Sequence, residues 1–347
     1  MKNRLKYRTI IPLFCLITGI LFSSCSDWTD TESLKIIDPD IKNQNPELYA
    51  QYLENLRNYK NSRHKMVYAW FDNSRKVPFS KAQHIDHLPD SVDVVVLMYP
   101  DSLVQRELDE INTIRKDKGM KVIFAISYDA IKLNHDNMMA EWQEGENKVS
   151  APKDFVSYLA DTMQYVLKLA GKYNYDGISI GYNGKSILHM TEKEKEEYSS
   201  NETAYTGIIT SWANTHDDKF IVFEGKPQNL ANKTILNACR HIIIPATNAT
   251  NSSLLTYNLT MANVDGVPSD RFIITAETAS LDQSDTKTGY WTDGTRAVTS
   301  SATWAAATYS DFTIVGLGIY NVANDYYNTQ RSYDYTKKAI DILNPSL

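Results

Sequence analysis

The sequence is poor in cysteine, in concentrated positive charge and in glycine-rich motifs, and each shortage removes a class of protein. Cysteine occurs 3 times in 347 residues, at Cys15, Cys25 and Cys239. Lysine and arginine cluster only at the extreme N-terminus, and the formal charge is -6 with a pI of about 5.7. A nucleic-acid surface needs concentrated cations to displace counterions from phosphate, so nucleic acid is not expected as a partner. No glycine-rich phosphate loop follows the first strand-like run, which argues against a dinucleotide-binding open sheet. Only His84 and His87 approach metal-ligand spacing. In the polar run QHIDH they read as a solvated helix face rather than a zinc site. Neither a metal nor a cofactor is expected. The bulk composition, 42% hydrophobic and 22% charged, excludes disordered and low-complexity architectures.

Residues 1–24 read as an export signal. Lys2, Arg4, Lys6 and Arg8 precede the apolar run IIPLFCLITGILF, which is too short to span a bilayer comfortably. The run ends in Phe22-Ser23-Ser24-Cys25, which resembles a bacterial lipobox, where small residues precede a cysteine that takes lipid and becomes the new N-terminus. Cys25 is therefore the expected lipidation site. The acidic stretch SDWTD at 26–30 resembles a tag that sends lipoproteins to the outer face of the outer membrane. Cleavage removes four cations and no anions, taking the charge from -6 to -10. It also removes Cys15 and leaves Cys239 beside the lipidated residue, so neither an intrachain disulfide nor a cysteine metal site is possible. Cys239 reads as a small buried hydrophobe. Residues 25–45 are polar and unpatterned and read as a tether; 46–347 read as one folded domain.

Eight short apolar runs recur along that domain: KMVYAWF (65–71), VDVVVLMY (92–99), KVIFAISY (121–128), YDGISIGY (175–182), KFIVFEG (219–225), HIIIPAT (241–247), RFIITAE (271–277) and FTIVGLGIY (312–320). Near-continuous Val, Ile and Leu indicate strands covered on both faces, as parallel strands are. Helical stripes lie between them: Val104, Leu108, Ile111, Ile114, and Phe155, Leu159, Met163, Val166, Ala170. A helix is expected from Pro46 with Leu48, Tyr52, Leu56 and Tyr59 on one face. Another starts near Ser150, and Thr191 with Glu194 fits a capping box at the exposed start of a helix. Residues 296–309 give a further helix. Eight strand–helix units closing on themselves make an α/β fold, a single (β/α)8 TIM barrel; a doubly wound sheet is the alternative.

The fourth run, Tyr175-Asp176-Gly177-Ile178-Ser179-Ile180-Gly181-Tyr182-Asn183, resembles the fourth-strand signature of glycoside hydrolase family 18, Asp-Gly-x-Asp-x-Asp-x-Glu. That family contains chitinases and endo-β-N-acetylglucosaminidases. The resemblance implies a terminal Glu that protonates the leaving oxygen and a preceding Asp that holds the substrate's acetamido group as internal nucleophile. Asp176 and Gly177 match. Ser179, Gly181 and Asn183 stand at the remaining acidic positions. An amide has no proton to deliver near neutral pH, and a hydroxyl or a bare Cα cannot hold the acetamide as a carboxylate does. The family's hydrolysis is therefore expected to be absent, with no catalytic residue assigned. Glu224, Glu277 and Asp72, near strand ends, are the carboxylates placed to substitute.

Aromatic residues also fall at strand ends, including Tyr99, with Asn248 and Asn321 nearby. Sugar rings stack their C–H faces on aromatics and give hydroxyls to amides and carboxylates. The glycan-binding set read from the sequence is Trp70, Tyr128, Tyr182, Asn183, Glu224, Glu277, Trp291 and Tyr320. Any one of these aromatics reads as well as core packing. Trp291 would be a platform on a rim loop, and Tyr320 stands where the family usually places a tryptophan floor. The triplets Asn201-Glu202-Thr203 and Asn248-Ala249-Thr250 read as polar surface. The resemblance implies an oligosaccharide ligand containing N-acetylglucosamine, such as an N-glycan. The expected protein is a glycan-binding lipoprotein of the outer membrane, facing the cell exterior. It would serve an outer-membrane glycan importer and partner glycosidases. An active endo-β-N-acetylglucosaminidase with relocated acids, and a surface scaffold protein, are the alternatives.

Overall fold

Runs of Val, Ile and Leu without polar alternation need cover on both faces, and the computed structural model of the chain supplies it. It describes residues 41–145 and 150–345. The expected export segment, Cys25 and the tether as far as residue 40 lie outside these residues. Ile41–Gln44, within the expected tether, forms one helical turn. The strands are β1 (Met66–Phe71), β2 (Val94–Leu97), β3 (Lys121–Ser127), β4 (Gly177–Tyr182), β5 (Phe220–Gly225), β6 (Cys239–Ile244), β7 (Phe272–Glu277) and β8 (Ile314–Tyr320). Each pairs in parallel with its sequence neighbours, and β1 pairs with β8, so the sheet closes. Closure removes the open-sheet alternative.

Strand parity divides the core. Tyr68, Trp70, Val94, Val96, Ile123, Val222, Ile243 and Ile273 fill the barrel interior. Their alternates pack outward against the helices. These are α1 (Pro46–Asn61), α2 (Gln105–Lys118), α3 (Tyr128–Glu144), α4 (Phe155–Lys172), α5 (Glu192–Ala213), α6 (Ser252–Ala262), α7 (Ala297–Ala306) and α8 (Asp334–Leu343). Among the described residues, 3-10 turns replace a helix after β1 and after β5, so the ring of helices is incomplete.

Several sequence expectations need correction. In α1 the buried residues are Leu53 and Leu56, whereas Leu48 and Tyr52 are exposed. The cap of α4 is Asp154, which accepts from the Ser157 N–H at 3.0 Å, rather than Ser150. The Thr191–Glu194 capping box forms as expected. Asn201 and Glu202 are buried rather than surface polar residues. His84 links two 3-10 turns and His87 ends the second, rather than both lying on a helix face. His84 Nδ1 sits 2.6 Å from Glu110 Oε1, which Arg106 also contacts at 2.7 Å, so a cation already serves that carboxylate.

Carboxylates staple the N-terminal side of the barrel. Asp93 Oδ2 accepts the Val67 N–H at 2.8 Å while its Oδ1 meets His64 Nε2 at 3.0 Å. Asp176 Oδ2 accepts from Arg115 Nε and from the Val122 N–H, both at 2.8 Å. The one acidic residue kept from the fourth-strand signature thus ties β3 and β4 to α2, far from the C-terminal rim where barrel chemistry occurs.

Candidate functional site: the mouth of the barrel

Period-two alternation carries Ser179, Gly181 and Asn183 along the inner face of β4 toward the C-terminal mouth. Cross-strand pairing sets Gly181 beside Glu224 on β5. Ser179 is fully buried and donates its hydroxyl to Glu224 Oε2 at 3.0 Å. From the far side of the barrel, the Tyr320 hydroxyl donates to Glu224 Oε1. The ring of Tyr320 lies flat on Trp70, with centroids 4.3 Å apart and planes 16° from parallel. Trp70 in turn lies across Gly318: a Cβ there would come within 2.6 Å of Trp70 Cζ3 and 3.1 Å of Thr275 Cγ2. Glycine at 318 is what lets the indole settle across the barrel.

Part of the mouth is open to solvent. The side chains that continue the inward parity, Met98 after β2, Ala125 on β3 and Pro245 after β6, are exposed. The Tyr320–Trp70 stack and Glu224 make its floor. Glu277, at the end of β7, accepts from Asn321 Nδ2. Asn321 has a left-handed backbone with φ 52, a conformation Asn tolerates better than most residues. Desolvation raises the carboxyl of Glu224 above its usual value, against the lowering effect of the Tyr320 and Ser179 hydroxyls. Burial and the neighbouring Glu224 and Glu277 push the Tyr320 phenol far up, so it remains a donor. Deeper down, the Tyr68 hydroxyl meets His241 Nδ1 at 2.8 Å.

The structure brings together only part of the sequence-derived set. Tyr320, Glu224, Glu277 and Asn183 reach the mouth, and Asn183 is exposed there. Trp70 is inside the barrel but only 3% exposed, because Tyr320 covers it; it supports the floor rather than offering a ring face. Tyr182 and Tyr128 are not rim residues. Tyr182 has the opposite parity to Ser179 and Gly181, is 1% exposed, and donates its hydroxyl outward to Glu202 at 3.0 Å. Tyr128 begins α3 and packs against Phe155, Tyr182 and Tyr205. Trp291 packs partly buried against the outer core, with no free-standing ring. Asp72 is exposed and accepts from the Ser74 N–H. Sequence reasoning missed Asp129, which holds the β4–α5 loop through the Asn183 and Gly184 N–H groups at 2.8 and 3.3 Å. It also missed Gly318, whose signal was the glycine pair in VGLGIY.

A closed eightfold barrel with this fourth strand defines a class, and comparison with known proteins agrees. Residues 29–342 match the family described as glycoside hydrolase family 18, BT1044-like, so the chain belongs to that family. Among solved structures, a selenomethionine BT1044 with one Glu-to-Gln substitution is 19% identical at a TM-score of 0.60, over 88% of this chain and 95% of that one. An endo-β-N-acetylglucosaminidase from Cordyceps militaris, a double variant bound to fucosyl-N-acetylglucosamine-Asn, is 16% identical. Its TM-score is 0.56 over 84% of this chain and 95% of that one. A family 18 chitinase from Chromobacterium violaceum is 13% identical at a TM-score of 0.51, over 81% and 84%. At these identities the likenesses speak to the fold. No curated protein matches the chain.

Proposed function

We propose that this chain is a glycan-binding member of family 18 that does not hydrolyse its ligand, displayed on the outer membrane through lipid on Cys25. The carrying observation is that β4 delivers Ser179, Gly181 and Asn183 to the mouth where the family's acids would stand. Glu224 has one property of a displaced acid, a raised carboxyl pKa. A general acid must present its proton to the leaving oxygen, however, and both Glu224 oxygens already accept hydroxyls from inside the protein. What remains suits recognition: the partly exposed Tyr320, the Asn183 amide and the Glu277 carboxylate at the mouth. The ligand class, an oligosaccharide containing N-acetylglucosamine, follows from the family. It is supported by the fucosyl-N-acetylglucosamine-Asn bound to the Cordyceps enzyme. The bound glycan would pass to partner glycosidases and an importer.

The test pairs calorimetric titration with product analysis on chitooligosaccharides and an N-glycopeptide. Saturable binding without new reducing ends is expected. Asn183→Glu alone should stay inactive, because Gly181 still provides no carboxylate to hold the acetamide. Turnover by the native chain, abolished in Glu224→Gln, would overturn the reading in favour of a displaced acid.

A further inference from the structure

We propose that a second pocket, beside the mouth, binds the carboxylate of an acidic sugar on Arg296. The pocket has a volume of about 380 Å³ and lies between the loop after β7 and the connection from β8 to α8. That volume falls within the range of small-ligand sites. Arg296 precedes α7, and its guanidinium contacts two rings, 4.1 Å from the Tyr290 centroid and 4.7 Å from that of Tyr335. The backbone bridge between Tyr290 and Arg296 fixes one of these rings, and α8 carries the other. Contact with the two rings leaves the N–H edge of the guanidinium as the place for a partner. Among the described residues that edge has none, neither carboxylate nor carbonyl.

The pocket is built for an anion that the chain itself does not supply. Asp325 is the one carboxylate in its lining. It is 5% exposed and turned inward, accepting from the Thr336 N–H at 2.7 Å and the Thr336 hydroxyl at 2.8 Å. Arg296 is thus a fixed, always-charged fork whose planar geometry matches a carboxylate bidentately. Gln283, Asn324, Asn328, Tyr290 and Tyr335 also line the pocket, the Asn328 amide donating to Asp325 Oδ1 at 3.3 Å. Amides and phenols of this kind suit a hydroxylated ring.

Its position connects it to the mouth. Ala279 follows Glu277 by two residues and Asn324 follows Asn321 by three, and Asn324 Nδ2 donates to the Ala279 carbonyl at 3.3 Å. The loops that form the pocket therefore continue from the two strands that end at Glu277 and Tyr320. This inference rests on the glycan-binding reading for the sugar, whereas the anion site stands on Arg296 itself. A glycan lying in the mouth and ending in a sialic or hexuronic acid would meet both.

Calorimetric titration of the mature chain with N-acetylneuraminic acid, its methyl ester and neutral chitobiose tests this. The free acid should bind, and the ester at least about tenfold more weakly, because the fork loses its charged acceptor. Arg296→Lys, which keeps a cation beside the rings but loses the fork, should weaken the acid by a similar factor with its melting temperature preserved. Equal affinity for acid and ester overturns the proposal. So does undiminished acid binding in folded Arg296→Lys and Arg296→Gln. Binding of chitobiose without any binding of the acid sinks this pocket and spares the mouth; binding of the acid without chitobiose does the reverse.

Discussion

Replacing Tyr320 with phenylalanine isolates one atom of the mouth. The ring stays on Trp70, where the centroids are 4.3 Å apart, and only the hydroxyl given to Glu224 Oε1 is lost. A hydrogen bond to a charged, largely enclosed carboxylate contributes about 1.5–3 kcal/mol, so the variant should be less stable by that amount near neutral pH. The pH dependence follows from the direction of the Glu224 shift. Burial raises this carboxyl, and the Tyr320 hydroxyl opposes the rise. Without the hydroxyl the folded-state pKa climbs further. A carboxyl whose folded pKa exceeds its unfolded value holds its proton more tightly in the fold, so stability falls as pH rises through the folded value. The penalty of Tyr320→Phe should thus be larger at about pH 8 than at about pH 4.5, where Glu224 is increasingly protonated in both proteins. Urea denaturation at the two pH values measures it. An equal penalty at both would show that the hydroxyl does not act on the charged form of Glu224, and the account of the floor would fail.

Gly318→Ala should destabilise the barrel by about 1–3 kcal/mol, since the new methyl meets Trp70 at 2.6 Å while Tyr320 covers the indole from above. A melting temperature unchanged from the native chain would mean the stack has room that the geometry denies. His241, pushed down to about 4 by burial and by Arg240 and Arg271, is neutral in the fold at pH 7. A histidine depressed in this way costs stability as pH falls from about 6.5 toward 4, by about 2–3 kcal/mol in total. His241→Gln retains a partner for the Tyr68 hydroxyl and should flatten that part of the curve. Parallel denaturation profiles for the two proteins would refute it.

The barrel was legible because parallel strands must be apolar on both faces, and all eight apolar runs became strands within a few residues of where they were read. The inward set of β4 was legible for the same period-two reason. That parity also contained the answer for Tyr182: if Ser179, Gly181 and Asn183 face the mouth, the residue between them faces the helices. Depth was not legible. Trp70 has the right parity, but whether it offers a face depends on Tyr320, which lies 250 positions away in the chain. The Tyr320–Glu224 contact spans 96 positions and has no local pattern. Helix α3, which buries Tyr128, escaped notice because its buried stripe is reduced to Tyr128, Ile131 and His135.

The division of labour between the two barrel faces separates the two matching positions of the fourth-strand signature from the three that differ. Asp176 answers the Arg115 guanidinium and the Val122 N–H on the N-terminal side, where removal of its carboxylate would leave an enclosed cation and a strand N–H unmet. Gly177 is equally confined, since a Cβ would fall 2.1 Å from the Phe220 carbonyl oxygen. Neither residue touches the mouth, and both are needed for β4 to sit between β3 and β5. The positions that differ, Ser179, Gly181 and Asn183, are the ones that point toward the mouth, and a Cβ at Gly181 would come no closer than 3.3 Å to its neighbours. Ser179 even gains a role there, giving its hydroxyl to Glu224. The fold therefore rests on the matching residues, and the proposed loss of hydrolysis on the differing ones, so the two can vary independently within a stable barrel.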